Sequence, residues 1–458
     1  MIDIKLIENA WCELNNSVIE YKGQPVGTIA ARDPASDTLN YDQCFVRDFA
    51  VSALAFLMHG ETKIVRNFLT IMVEPQGKVK YMNCFMAGKG LMPASFKIVK
   101  SDGIPQLEAD FGEKSIARVS PVDSGLWWLI ILRAYVRASG DTTLVKQPAF
   151  QQAITLTLEL FLESRFDMRP TLLVSDGAYM IDRRMGVYGY PFDLQSLLFA
   201  ALSAARELLV ADDYYHRSIT ERLTHLCDHL HHYYWLDFDR LNMIYRYKVD
   251  GYGSQILNTF NIQPSTIKPA LIDWLPAEGG YFAGNVDPGR MDFRYFAQGN
   301  LLAIVSSLAT QDQSHKIMTL IEQRWHDLIG QMPVKICYPA LEGYDWEIVT
   351  GADPKNSAWS YHNGGNWPSL LWLLAAAAQK SGHPALAIRA LNSAAKRLAS
   401  EHWPEYFDGH YGQLVGKEAR RFQTWSIAGF LAAYQILEQP EHLDLLKFES
   451  QTTVRACD

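Results

Sequence analysis

Four stretches of the chain set acids among aromatic residues just before apolar runs. They are "NYDQCFVRDFA" with Asp42, Arg47 and Asp48; "MIDRRMGVYGYPFD" with Asp182 and Asp193; "WSYHNGGNWP" with Trp359, His362, Asn363 and Trp367; and "EHWPEYFDGHYG" with Glu401, Glu405 and Asp408. Carboxylates held on opposite sides of a sugar ring are what cleavage of a glycosidic bond requires: one protonates the leaving oxygen and the other acts from the far face. No rival equipment competes, because the sequence has no Walker-type phosphate loop, no GxSxG elbow and no HExxH.

Each acid also has a plainer reading, since an Asp at a helix start is more often a cap or an Arg partner than a catalyst. Arg183 and Arg184 follow Asp182 at once, which favours an ion pair there. Asp193 stands just after Pro191 at the head of "DLQSLLFAAL" and reads as a helix cap. Glu405 is less ordinary: Trp403, Pro404 and Tyr406 flank it, with no Lys or Arg beside it in the sequence. His225, His229 and His232 recur at i, i+4 and i+7 and could share a helix face. An exposed stripe explains them better than zinc, because all three sit on one local helix with no distant Cys or carboxylate paired to them. No metal or cofactor is expected.

Periodicity predicts the elements that must position these residues. It is helical almost throughout, with Leu- and Ala-rich stripes such as "SGLWWLIILRAYVRAS" and "WPSLLWLLAAAA", and alternating β-branched runs are scarce. An all-α or mainly α chain follows. Six times a polar or aromatic cluster leads into an apolar helix, near Tyr41, Arg118, Tyr188, Arg290, Ser360 and Lys417, and a more charged helix lies between successive ones. A helix apolar almost all round is buried and one with a charged face lies outside. Six inner and six outer helices in alternation predict an (α/α)6 barrel with the clusters gathered at one end. The widest interval, Gln195 to Arg294, predicts long loops over the mouth.

No linker divides the chain, so residues 1–447 are expected to form one catalytic domain, with 448–458 a loose tail. With 42 basic and 50 acidic residues the net charge is −8, which argues against a nucleic-acid partner. "LLWLLAAAA" is too short to span a bilayer, and the N-terminal stretch lacks the basic and apolar regions of a secretory signal, so a cytoplasmic protein without a membrane partner is expected. Six scattered cysteines form no CxxC and read as reduced thiols. Aromatics on outer helices allow a homo-oligomer.

Long segments, among them "MIDRRMGVYGYPFDLQ", "MPVKICYPALEGYDWEIVTGADPKNSAWSYHNGGNWP" and "WPEYFDGHYGQLVGKEARRFQTWSIAG", resemble the alkaline/neutral invertases, glycoside hydrolase family 100, of cyanobacteria and plants. The resemblance runs from about Asn40 to Leu437. It implies an (α/α)6 barrel that hydrolyses sucrose to glucose and fructose in the cytosol, with inversion at the glucosyl carbon and without metal. It also implies the general acid at Asp182, in the "MIDRRMG" motif, and the general base at Glu405, in a motif usually written "WPEYYDG" where this chain has Phe407. The two carboxyls are then expected roughly 6.5 to 9.5 Å apart. Glu418 is a rival acid, but the plant relatives carry Gln there, which argues for a binding or structural role. Arg47 and Asp48 are expected on glucosyl hydroxyls, with Asp123, Arg183, Tyr188, Trp359, His362 and Gln423 as further substrate contacts. Apolar walls such as Tyr188 and Met185 would keep the proton on Asp182, and at least one of Arg183 and Arg184 would turn to sugar hydroxyls or another acid. The alternatives are another sugar-active enzyme on the same barrel, such as a phosphorylase or epimerase, or a non-catalytic sugar-binding protein.

Overall fold

The computed structural model describes residues 2–34, 40–78, 88–113, 118–119, 121–162, 170–210, 212–249, 267–287 and 290–448. Twelve helices carry the body of these residues: α1 Ile4–Asn16, α2 Val46–Met58, α3 Thr62–Val73, α4 Asp123–Ser139, α5 Pro148–Phe161, α6 Phe192–Leu208, α7 Asp213–Tyr233, α8 Ala297–Val305, α9 Gln311–Gln323, α10 Leu371–Lys380, α11 Pro384–Ser400 and α12 Thr424–Glu438.

The even-numbered six are buried almost all round. In α2, "VRDFAVSALAFLM", every residue but Arg47 is buried. The odd-numbered helices bury one stripe, as α11 does with Leu386, Ala387, Ala390, Leu391, Ala394, Ala395 and Leu398. That spacing of three and four residues is one helical face. Around the core α2 packs on α4, α4 on α6, α6 on α8, α8 on α10, α10 on α12, and α12 returns to α2. The buried helices therefore close a ring, with the amphipathic ones against its outside. Small residues allow the tightest approaches: a Cβ at Gly429 of α12 would stand 2.8 Å from the carbonyl oxygen of Ser369, at the entry to α10.

The all-α expectation holds for this ring but not for its rim. Three antiparallel sheets are present among the described residues: β1 Val18–Tyr21 with β2 Gln24–Thr28; β3 Cys44–Phe45, β4 Ser95–Ser101 and β5 Ile104–Asp110; and β6 Trp235–Asp237, β7 Gly280–Asp287, β8 Arg290–Phe296 and β9 Cys337–Tyr338. Their signal is weak for a physical reason. Several strands are only two to five residues long, and β7, "GYFAGNVD", is buried on both faces until its last residue, so no alternation appears. The interval expected as mouth loops is thus partly a β7–β8 hairpin, and of "YYWLDFDRLNMIYRYKVDGYGS" the part from residue 250 lies outside the described residues. Strand β3 runs directly into α2 and β8 into α8, which puts their two sheets at the N-terminal ends of inner helices.

Phe448, expected to open the loose tail, is buried instead, with the Arg133 guanidinium 4.2 Å above its ring. Residues 449–458 lie outside the described residues. Cys44, Cys227 and Cys337 are buried and Cys12 is exposed, and none of the four is in a disulfide.

Candidate active site

The N-terminal ends of the inner helices converge on one cavity, about 770 Å³ with its open mouth included. Asp182, Glu405, Arg47, Asp48, Asp123, His362 and Gln423 line it, with Met180, Tyr361, Trp367 and Trp425 as walls. Arg47, Asp48, Asp123 and Gln423 stand at the starts of ring helices, while Asp182, His362 and Glu405 lie on the irregular segments that lead into them.

Asp182 sits on an irregular segment held by Asp176, whose carboxylate accepts the backbone N–H of Gly186 at 2.8 Å and of Met185 at 3.1 Å. Burial pushes the Asp182 carboxyl up to about 6, against the pull of Arg47 and Arg183 and with help from the Glu405 charge. One oxygen lies 3.4 Å from Nδ1 of His362, and neither atom makes a hydrogen bond. Burial and the surrounding Arg183, Arg47 and Lys355 charges hold His362 well below the usual imidazole range, so it is neutral at pH 7.

Both arginines of the motif turn aside from Asp182. Arg183 pairs with Asp353 at 2.7 Å and stacks 5.2 Å over the Tyr361 ring, while Arg184 is exposed and reaches the Ile348 carbonyl at 3.4 Å. Arg183 therefore acts on Asp182 through space, without an ion pair.

Glu405 is 3% exposed. Its Oε1 accepts the Tyr41 hydroxyl at 3.0 Å, and its Oε2 lies 3.7 Å from the Lys355 ammonium without a hydrogen bond. The purely apolar setting read from its sequence neighbours is thus corrected, because Lys355 arrives from a distant segment of the chain. Arg47, also in the lining, holds Asp123 at 2.5 Å. Burial raises Asp48 to about 7 although Arg47 pulls it down.

Three expected contacts do not line the cavity: Arg183, which is paired with Asp353, and Tyr188 and Trp359. Tyr188 is 51% exposed beneath the Arg290 guanidinium at 4.4 Å, because the chain turns at Gly186 and Gly189, both at positive φ, and is tied to Asn285 of β7. Trp359 donates its indole N–H to Glu342 at 2.7 Å and packs its ring near Tyr338 and His410. Met185 is buried but outside the lining, so Met180, Tyr361 and Trp367 are the walls in place of Tyr188 and Met185. Asp193 does not cap its own helix. It lies inside α6 and accepts the N–H of Gly299 in α8 at 2.7 Å. Glu418 is exposed and outside the cavity lining.

A family model for alkaline and neutral invertases matches residues 10–440. The chain belongs to that family. It is accordingly a glycoside hydrolase. Cytosolic invertase 1 of Oryza sativa subsp. japonica is 54% identical over 456 residues, covering 98% of this chain and 81% of that one. Alkaline/neutral invertase C, mitochondrial, of Arabidopsis thaliana is 50% identical over 453 residues, covering 96% and 68%. Among solved structures, the GH63 mannosylglycerate hydrolase from Thermus thermophilus superposes with a TM-score of 0.57 at 12% identity, covering 93% of this chain and 99% of that one. At that identity the likeness bears on fold alone, and it agrees with a helical barrel.

Against this invertase-family background, the residues that sequence reasoning missed are Tyr41, Asp176, Asp353 and Lys355. Tyr41 and Lys355 had a signal: the first adjoins the "DQCFVRD" cluster, and the second is a lone cation in the uncharged run "KNSAWSYHNGGNW". Asp176 and Asp353 act only through the fold and had none. Among the described residues no group of three or more His, Cys, Asp or Glu is arranged to hold a metal ion, and no helix is long and apolar enough to cross a membrane.

Proposed function

We propose that the chain hydrolyses sucrose to glucose and fructose on an (α/α)6 barrel formed by residues 1–447, inverting the glucosyl carbon, with Asp182 as general acid and Glu405 as general base. The observation that carries this reading is that both carboxyls line one cavity in different environments. Burial keeps a proton on Asp182 up to about pH 6, and neutral His362 adds no cation to strip it. Glu405 is steadied through Oε1 by Tyr41, which leaves Oε2 to accept a proton from water.

In the reaction Asp182 gives its proton to the glycosidic oxygen as the bond to the glucosyl carbon breaks, and fructose leaves. Glu405 takes a proton from a water on the far face as that water's oxygen bonds to the carbon, so the α-linked glucosyl unit departs as β-glucose. The Arg47–Asp123 pair, Asp48, His362 and Gln423 face the same space and are read as hydroxyl contacts; Arg183 is read as a second layer behind Tyr361. Sucrose as substrate rests on the relatives named invertases, and a cytosolic location rests on the rice relative, since other relatives carry organellar names.

Incubation with sucrose in phosphate-free buffer, following glucose and its anomer by NMR, tests the proposal. β-Glucose appears first and equal fructose accompanies it. α-Glucose as first product, or no release of glucose, would sink the inverting assignment.

A further inference from the structure

A second cavity, of about 1190 Å³, lies beside β8 and β9 and shares no lining residue with the catalytic one. Among the described residues its wall is largely apolar and aromatic. Leu271, Trp274, Phe293 and Tyr338 contribute, and the Trp274 and Tyr338 rings stack with centroids 4.8 Å apart. Into this wall is set Arg294, only 8% exposed. Its Nε and Nη2 bind Asp292 and Nη2 also binds the Met185 carbonyl, while Nη1 is buried with no hydrogen-bond partner. A buried guanidinium N–H without an acceptor is costly, so an acceptor oxygen brought by a ligand would be favoured there.

The charges of the wall bear on what that ligand is. Arg294 is neutralised by Asp292 at 2.5 Å, Lys268 by Asp345 at 2.8 Å and Arg290 by Asp287 at 2.6 Å. No cation is left over among the described lining residues to select an anion. What remains is one buried donor, carboxylates that can accept from hydroxyls, and aromatic surface that suits the C–H face of a pyranose or furanose ring. We infer that this cavity is an accessory binding site for a neutral mono- or disaccharide, separate from the site of hydrolysis. Its wall continues into the catalytic one: Leu341 exchanges two hydrogen bonds with the Asn363 side chain, and the Cys337 thiol donates to the His362 carbonyl. The inference does not depend on the invertase reading, because binding is measured without turnover.

Equilibrium dialysis of the wild-type protein with labelled glucose and with labelled fructose tests it, alongside Ala270→Trp. Ala270 is an exposed lining residue where added bulk fills the cavity without disturbing the core. For at least one sugar, two sites per chain are expected in the wild type and one in Ala270→Trp, with kcat/KM for sucrose within about twofold. Arg294→Lys, which keeps the charge but loses the fork, weakens the second site at least fivefold. A stoichiometry unchanged by Ala270→Trp for both sugars overturns the proposal. So does glucose 6-phosphate binding at the Ala270-dependent site more than tenfold tighter than glucose, which would make it an anion site.

Discussion

Asp182 and Asp193 stand eleven residues apart in one aromatic segment, and burial raises both carboxyls, to about 6 and about 7. Their surroundings differ. Asp182 lines a cavity, makes no hydrogen bond through Oδ1, and lies among Arg47, Arg183, His362 and Glu405. Asp193 is locked to a backbone N–H of the next ring helix, outside the cavity lining. A raised carboxyl is therefore no mark of a catalyst by itself; it becomes one when open space for a substrate and a second carboxyl face it.

The largest effect separating the two acids is on turnover. Asp182→Asn and Glu405→Gln are each expected to lower kcat for sucrose by about 10²- to 10⁴-fold, the range ascribed to general acid–base groups, whereas Asp193→Asn leaves kcat within about threefold. Steady-state assays on the three purified variants decide it, and equal losses at Asp182 and Asp193 would erase the contrast. Tyr41→Phe comes next. It removes the hydroxyl that steadies Glu405, and a fall in kcat of about tenfold with little change in KM is expected.

How far the sequence could be read follows the same division. The ring helices were legible because burial on all sides writes itself as long apolar runs, and the outer helices because a charged face breaks those runs at the helical period. Strands such as β3 and β9, two residues each, are too short to carry a period, and β7 is masked by being buried on both faces. In the site, Arg47, Asp48, Asp123, His362 and Gln423, singled out by the family resemblance and motif membership, line the cavity. Tyr188 and Trp359 share motifs with cavity residues yet face away, since adjacency in a loop does not fix direction. Lys355 stands out as a lone cation in its run, but its pairing with Glu405 could not be read, because the partner of a buried charge is chosen in space.

A smaller effect sharpens the electrostatics around Asp182. The Arg183 charge lowers this carboxyl, so Arg183→Met raises it. A general acid is active while protonated, and activity is lost as pH climbs through its pKa. The alkaline limb of kcat/KM is therefore expected to move upward by roughly half a unit to one unit in Arg183→Met. A pH profile with an unmoved limb would mean that Asp182 is not the group titrating there.

The smallest effect lies on the Asp193 side and concerns stability. Its folded pKa of about 7 stands above the unfolded value of about 3.9, so the folded state holds the proton more tightly. That preference stabilises the fold fully below the unfolded pKa and is lost as pH rises toward and through 7. Asn at this position keeps an oxygen for the Gly299 N–H and cannot ionise. Asp193→Asn should therefore melt on the order of a few degrees above the parent at pH 8, with the gap closing toward pH 4. Thermal melts of both proteins across that range carry the test. A variant that loses stability at pH 8 would show that the ionised carboxylate, rather than its oxygen alone, holds α6 to α8.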